Sequence, residues 1–292
     1  DVTIKEVGYG DLSIEVEDNE NLTKYRINTT LINENVKSIS AIGDIDVTQD
    51  NPQIDLDIIL NDIDLQGFTS FGGDVITNIR GLTSGTAKVI GNYKEPDISG
   101  RLNLRDSGLK IPYLNTDFNL DNSTQVILKK DSIKVVTTEI IDVKYGTKGT
   151  FTGGATHTNF GDWKLNMNIE APERLLVLDT PPDEDELYYG TAFISGNATI
   201  EGPVDELEIK VFATTEENTS FKIPLSDTES IGDDSFINFL SPEEKRASVI
   251  GEKIINKEIK GLSIDFDLDI NNKAEVEVVV DKVNNSTLKG RG

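Results

Sequence analysis

The residues that could carry acid–base or nucleophilic chemistry are few in this chain. It contains one histidine, His157, and no cysteine. Nucleophilic catalysis of the usual kind needs a base beside the nucleophile, most often histidine. His157 lies among glycine, threonine and asparagine residues typical of a turn or a strand edge, and no P-loop type of phosphate loop is present. The sequence therefore predicts a protein that is not an enzyme and binds no cofactor.

The carboxylates best placed to hold a cation are Asp265, Asp267 and Asp269. Hard cations such as calcium prefer clustered oxygen ligands. These aspartates alternate with apolar residues along one run and lack the glycine turn of a calcium loop. We interpret them as the solvated face of a strand, and no metal site is predicted.

The charge of the chain restricts its partners. Asp and Glu number 52 against 28 Lys and Arg, which gives a net charge of −24. Such a surface repels phosphate backbones and anionic lipid headgroups, so we expect no nucleic-acid partner and interpret the acidity as a source of solubility. The lack of cysteine excludes a disulfide framework and is compatible with an oxidising periplasm.

Strict alternation of apolar and polar residues dominates the chain. Residues 262–270 place five apolar side chains on one face and a serine with three aspartates on the other. Residues 12–17, 54–58, 165–170 and 207–211 alternate in the same way. One apolar and one polar face is typical of antiparallel sheet. The predicted fold class is all-β, a long and mostly antiparallel sheet.

Two related modules, at about 83–120 and 187–226, indicate how the sheet is built. Each begins with Gly-Thr-Ala, at residues 85–87 and 190–192. A period of about a hundred residues is several strands long, so stacked modules predict one sheet with one continuous apolar face. We expect the β modules to occupy residues 1–239.

One short helix is predicted over residues 240–258. Residues 241–244, Ser-Pro-Glu-Glu, form a capping box with proline at the first helical position. Ala247, Ile250 and Ile254 then fall on one stripe. We expect an amphipathic helix that covers part of the sheet or closes one end, because its glutamates weaken the alternative of a helix lying on a membrane. The final strands follow over residues 259–292.

Several motifs in the second half of the chain carry a family resemblance. They are Leu178-Asp179-Thr180, Leu187-Tyr188-Tyr189-Gly190-Thr191-Ala192, Gly196-x-Ala198-x-Ile200-x-Gly202-Pro203, Ile223-Pro224-Leu225, Phe236-Ile237-Asn238-Phe239 and the tail from Leu262 to Gly292. Their order and spacing resemble the C-terminal domain of the TamB family (translocation and assembly module), in its Bacteroidota-like form, within the AsmA-like group. The resemblance covers roughly residues 83–292.

The resemblance implies a curved sheet that forms an open, taco-like trough with an apolar interior. It also implies a periplasmic location, phospholipid carriage between the inner and outer membranes, and assembly of outer-membrane proteins with a TamA-type barrel partner. The chain opens at Asp1 without methionine and has no run of about 20 apolar residues. We therefore expect a piece of a longer protein, and the resemblance implies that this longer protein is anchored in the inner membrane.

The apolar positions of the alternating runs are the candidate lining of a lipid groove. A lipid that leaves a membrane exposes its acyl chains at about 0.8 kcal/mol per methylene, so a sixteen-carbon chain costs about 12 kcal/mol in water. Continuous apolar surface in the trough would remove this cost. The predicted lining residues are Leu102, Leu104, Phe118, Leu120, Met167, Ile169, Leu207, Ile209, Ile264, Phe266 and Leu268.

Two other functions are compatible with the same pattern. An open sheet edge could receive client strands of outer-membrane β-barrels or autotransporters by augmentation, without lipid. A self-packed β-sandwich or adhesin repeat also alternates apolar and polar residues. Alternation alone does not separate a ligand-filled trough from a self-filled core.

Overall fold

The computed structural model describes residues 1–4, 6–72, 76–181, 189–224, 262–272, 274–281 and 286–290. Short 3-10 helices lie at Gln66–Gly72 and Pro112–Leu114. The helix predicted over 240–258 lies outside the described residues. The strands are β1 Val2–Ile4, β2 Val7–Asp18, β3 Lys24–Asn33, β4 Val36–Asp46, β5 Gln53–Asp64, β6 Thr77–Asn92, β7 Asp97–Ile111, β8 Thr116–Leu120, β9 Gln125–Lys129, β10 Ser132–Asp142, β11 Lys148–Thr158, β12 Gly161–Thr180, β13 Tyr189–Pro203, β14 Leu207–Thr215, β15 Ser220–Pro224, β16 Leu262–Asp269, β17 Glu275–Asp281 and β18 Ser286–Gly290.

Strands that follow one another in sequence pair antiparallel through most of the sheet. β8 and β9 together fill the position between β7 and β10. β14 and β15 likewise share the position beside β13. The pairs β14–β16 and β15–β17 are parallel. The prediction of an all-β, mostly antiparallel sheet is confirmed.

The register of the strands places apolar residues opposite apolar residues. Leu102 on β7 pairs with Val126 on β9, and Val126 pairs with Val135 on β10. Because paired residues share a sheet face and alternate residues point to opposite faces, these pairings define one face, which we call the inner face. A central row crosses it through Leu12, Leu31, Ile39, Leu60, Gly85, Leu102, Val126, Val135, Gly153, Met167, Ile200 and Ile209.

A line of irregularities crosses the strands and bends the sheet. Tight turns interrupt it at residues 121–124 and 216–219, where the fourth residue's N–H donates to the first residue's carbonyl at 3.0 and 3.2 Å, and the Ala274 N–H donates to the Asn271 carbonyl at 2.9 Å. Register shifts lie on the same line, between Leu60 and Ile63 on β5 and between Val135 and Thr138 on β10. Bulges increase local twist and bend a strand, so the line is where the sheet folds.

Two contacts between distant strands report the curl of the sheet. Tyr9 on β2 donates a hydrogen bond to the Asp64 carbonyl at the end of β5, at 2.7 Å. Asn115, beside β8, donates to the Asp179 carbonyl on β12, also at 2.7 Å. Each pair is three strand positions apart, about 14 Å in a flat sheet. The sheet therefore curls toward its inner face and forms a trough.

The closed side of the trough holds two small cores. In the first, Phe118, Ile140, Ala171 and Leu175 are buried together, with Leu120 and Ile169 packed against them. In the second, Tyr9, Leu31 and Ile63 are buried, and Val2 and Ile4 of β1 pack on them. These cores hold the bend, because each joins side chains from strands that do not pair.

Replacing Phe118 with alanine tests the first core. Phe118 is 7% exposed, so Phe118→Ala is expected to lower the free energy of unfolding by about 3–4 kcal/mol through lost contacts and a residual cavity. Urea unfolding followed by circular dichroism measures the change. The control is Phe212→Ala on the opposite face, where the ring is 46% exposed and the loss should stay below about 1 kcal/mol. Equal losses would contradict this assignment of the core.

Candidate functional site

The inner face away from the closed side is apolar and open. Leu12, Ile14 and Val16 on β2 are 49%, 58% and 56% exposed. Further into the sheet, Leu102 and Met167 are half-buried. Among the described residues, no second sheet and no helix covers these side chains. The open part of the inner face is therefore unfilled apolar surface.

The apolar surface is continuous in the direction across the strands. The central row runs from Leu12 on β2 to Ile209 on β14, and the backbone register continues it to Ile264 on β16. At the strand spacing of about 4.8 Å, thirteen strand positions span on the order of 60 Å. A second row lies nearer the open rim and consists of Ile14, Thr29, Ala41, Ile58, Ala87, Gly100, Leu128, Ile133, Ala155, Leu165 and Gly202.

The opposite face, which we call the outer face, is mostly polar, although apolar side chains such as Ile59 and Phe212 also lie on it. On β5 and β6, Lys88 Nζ lies 2.7 Å from Asp55 Oδ1 and 3.1 Å from Asp57 Oδ1. Hydrogen bonds to Asp55 and then Asp57 raise the pKa of Lys88 above its ordinary value. Asp265, Asp267 and Asp269 on β16 are all exposed. The solvated face predicted for this strand is therefore present, and it keeps the trough soluble while the inner face stays apolar.

The second half of the chain matches a known protein family. The sequence model of the TamB C-terminal domain matches residues 137–292, just over half of the chain. The chain belongs to the TamB family. No curated protein and no solved structure matches it. Membership of the TamB family indicates a role in outer-membrane protein assembly or lipid transport, and proteins of this family work with TamA.

The TamB match begins within β10 and therefore covers the later half of the trough. β2 to β9 lie before the matched residues. They carry the same inner-face rows, because the inner-face residues of β9 pair with inner-face residues of β10. The apolar surface of the family domain thus continues into strands outside the match.

The structure places most of the predicted lining residues on the inner face. Leu102, Met167 and Ile209 lie in the central row. Leu104 alternates with Leu102 and pairs with Thr83, and Leu207 alternates with Ile209. On β16 the backbone register pairs Ile264, Phe266 and Leu268 with Ile209, Val211 and Ala213.

The remaining three predicted residues lie at the closed side of the trough. Phe118 is buried in the first core, and Leu120 and Ile169 pack against that core. Their side chains hold the bend and leave less surface for a ligand than Leu102 or Met167. Lining of a groove by all eleven residues remains a prediction.

His157 has a structural position at the end of β11. Its Nδ1 accepts a hydrogen bond from the Phe160 N–H at 3.0 Å, and its ring stacks on Phe160 at 4.7 Å between centroids. The ring of Trp163 also contacts the imidazole, with 4.6 Å between centroids. These contacts tie the imidazole to the residues of the β11–β12 turn.

Two further features concern the described part of the TamB-family chain. No group of three or more histidine, aspartate or glutamate side chains within it is placed to hold a metal ion. In the same residues, no helix has both the length and the apolar character needed to cross a membrane.

Sequence reasoning missed several inner-face residues. Ile58, Val126 and Val135 carry the two rows through β5, β9 and β10, and Val89 on β6 pairs with Leu56 on the same face. Their alternation with polar neighbours was a usable signal for Ile58. For Val126 and Val135 the strands are short or interrupted, so their face follows only from the register.

Replacing one open and one closed inner-face residue tests whether the trough is unfilled. Leu102 is half-buried, so Leu102→Asp should keep the native fold and lower the free energy of unfolding by about 1–2 kcal/mol. Leu175 is 1% exposed, so Leu175→Asp buries an unpaired charge and should prevent cooperative folding. Far-UV circular dichroism and urea unfolding measure both. Loss of folding in Leu102→Asp as well would mean that the open face is covered.

Proposed function

We propose that this chain is part of a periplasmic lipid conduit that carries phospholipid between the inner and outer membranes. The observation that carries the proposal is the inner face, whose apolar rows continue from strand to strand and, away from the two cores, are covered by no other described element. Phospholipid acyl chains lie against these rows. The predicted lining residues Leu102, Met167 and Ile209 mark the path across the sheet.

The energetics favour an acyl chain as the occupant of the trough. Exposing apolar side chains to water is unfavourable by about 25 cal/mol per Å². Exposing an extended acyl chain to water is unfavourable by a comparable free energy per unit area. Contact between the two removes both areas from water without requiring a specific polar partner. The row positions are chemically similar, so a chain can slide along them without crossing a large barrier.

The family supplies the setting for this conduit. We place the chain in the periplasm, as part of a longer protein anchored in the inner membrane, with a TamA-like outer-membrane barrel as its partner. Outer-membrane proteins that are being assembled are its further expected partners. In this account the chain provides apolar surface and carries out no catalysis.

A second function is favoured by the free edge of β2. Asp11–Asp18 pairs with β3 on one side, and within the described residues β1 pairs only with the beginning of β2. The edge presents backbone donors and acceptors together with the exposed side chains of Leu12, Ile14 and Val16. A client strand could add here by augmentation, so the edge supports an assembly scaffold.

A pair of variants on neighbouring residues of β12 tests the lipid conduit. Met167 lies on the inner face and Asn166 on the outer face, so Met167→Asp places a carboxylate in the acyl path while Asn166→Asp leaves the path unchanged. We expect Met167→Asp to weaken binding of a fluorescent phosphatidylethanolamine about tenfold, because a charge opposes burial of methylenes. Titration of the purified chain with this lipid measures the effect.

The matched variant and one further result make this test decisive. Asn166→Asp should bind the lipid as the unmodified chain does. Equal binding by both variants, or no binding by the unmodified chain, would contradict the conduit. Crosslinking of a client strand to β2 without lipid binding would favour the assembly scaffold.

A further inference from the structure

Two adjacent rows on the outer face of the central strands lack the acidity of the rest of the chain. One row crosses it through Arg101, Ile127, Lys134, Gly154 and Asn166. The row nearer the rim contains Lys129, Ser132, Thr156 and Lys164. Neither row contains a carboxylate between β7 and β12, although the chain has 52 acidic residues. We call these two rows the basic patch.

The four cations of the basic patch are available to a partner. The side chains of Arg101, Lys129, Lys134 and Lys164 are exposed. Within the described ranges, none of them forms an ion pair. Some cations elsewhere on the outer face are neutralised locally, as Lys88 is by Asp55 and Lys210 is by Glu208. The patch therefore keeps its positive charge.

The centre of the basic patch is a shallow depression of about 280 Å³. Its lining combines Lys129 and Lys134 with the apolar side chains of Ile127 and Val136 and the hydroxyl of Ser132. Val136 is 39% exposed. The depression can take an apolar side chain, with carboxylates on either side of it reaching the lysines.

The width of the basic patch favours a compact protein partner over a flat membrane. β7 to β12 occupy five strand positions, about 20 Å across. Carboxylates flank the patch on both sides, with Asp57 on β5 and Glu201 on β13. A flat anionic membrane would meet these carboxylates as well as the lysines. A partner element about 20 Å wide would face mainly the four cations, because Asp57 lies two strand positions, about 10 Å, from β7 and Glu201 is engaged by the Asn166 amide at 3.5 Å.

We propose that the basic patch is a docking surface for an acidic protein element, a strand or loop in which carboxylates flank an apolar side chain. The carboxylates pair with Arg101, Lys129, Lys134 and Lys164, and the apolar side chain enters the depression beside Ile127 and Val136. The site is on the opposite face from the trough. It does not depend on lipid carriage, and it lets the trough remain loaded while a partner is bound.

Fluorescence anisotropy with the full chain tests the docking surface. The probe is a short fluorescein-labelled peptide in which glutamates flank a single leucine, and a peptide with glutamine in place of glutamate is its control. We expect the glutamate peptide to bind, and binding to weaken about tenfold in the double variant Arg101→Glu/Lys134→Glu. Binding should also weaken as salt rises from about 50 to about 300 mM.

Matched variants keep the result specific. Lys37→Glu changes an exposed lysine on β4, outside the patch, and should bind the peptide as the unmodified chain does. Met167→Asp should do the same, which separates this site from the lipid test. Circular dichroism checks that the double variant is folded. Equal binding by the double variant, no binding by the unmodified chain, or preferential binding of phosphatidylglycerol vesicles through Arg101 and Lys134 would overturn the proposal.

Discussion

The structure depends on keeping the apolar residues of the alternating runs on the same side of a sheet from one strand to the next. Side chains alternate with a period of two, so a slip of one residue would move a strand's apolar set to the other face. From Leu12 to Ile209 the register prevents this slip at each pairing. The inner face, the polar outer face and the basic patch all follow from that alignment, as does the separation of lipid from protein partners.

Bulges preserve the alignment where the sequence pattern changes phase. On β5 the apolar residues shift from Leu60 to Ile63 while the partner strand advances only from Gly85 to Thr83, so one extra residue is absorbed. On β10 the same happens between Val135 and Thr138. Each bulge keeps the apolar residues on the inner face and also bends the strand. The curl of the trough and the continuity of its lining therefore have one origin.

The sequence predicts the parts of this structure that are local. Alternation over 54–58, 165–170 and 207–211 is enough to assign strands and the faces of their residues. The burial of Phe118 against Leu175 was not predictable, because it depends on the curl across three strand positions. The basic patch was not predictable either, since Arg101 and Lys134 become neighbours only through the register of β7, β9 and β10.

The most direct measurement is photo-crosslinking in the intact envelope at one inner position on each of four strands, Ile58, Leu102, Met167 and Ile209. The adjacent outer positions Ile59, Asn103, Asn166 and Glu208 serve as controls. If the register-aligned inner face is one acyl path, phospholipid adducts should form at all four inner positions and at none of the outer ones. Adducts at outer and inner positions alike, or protein adducts alone, would contradict the account.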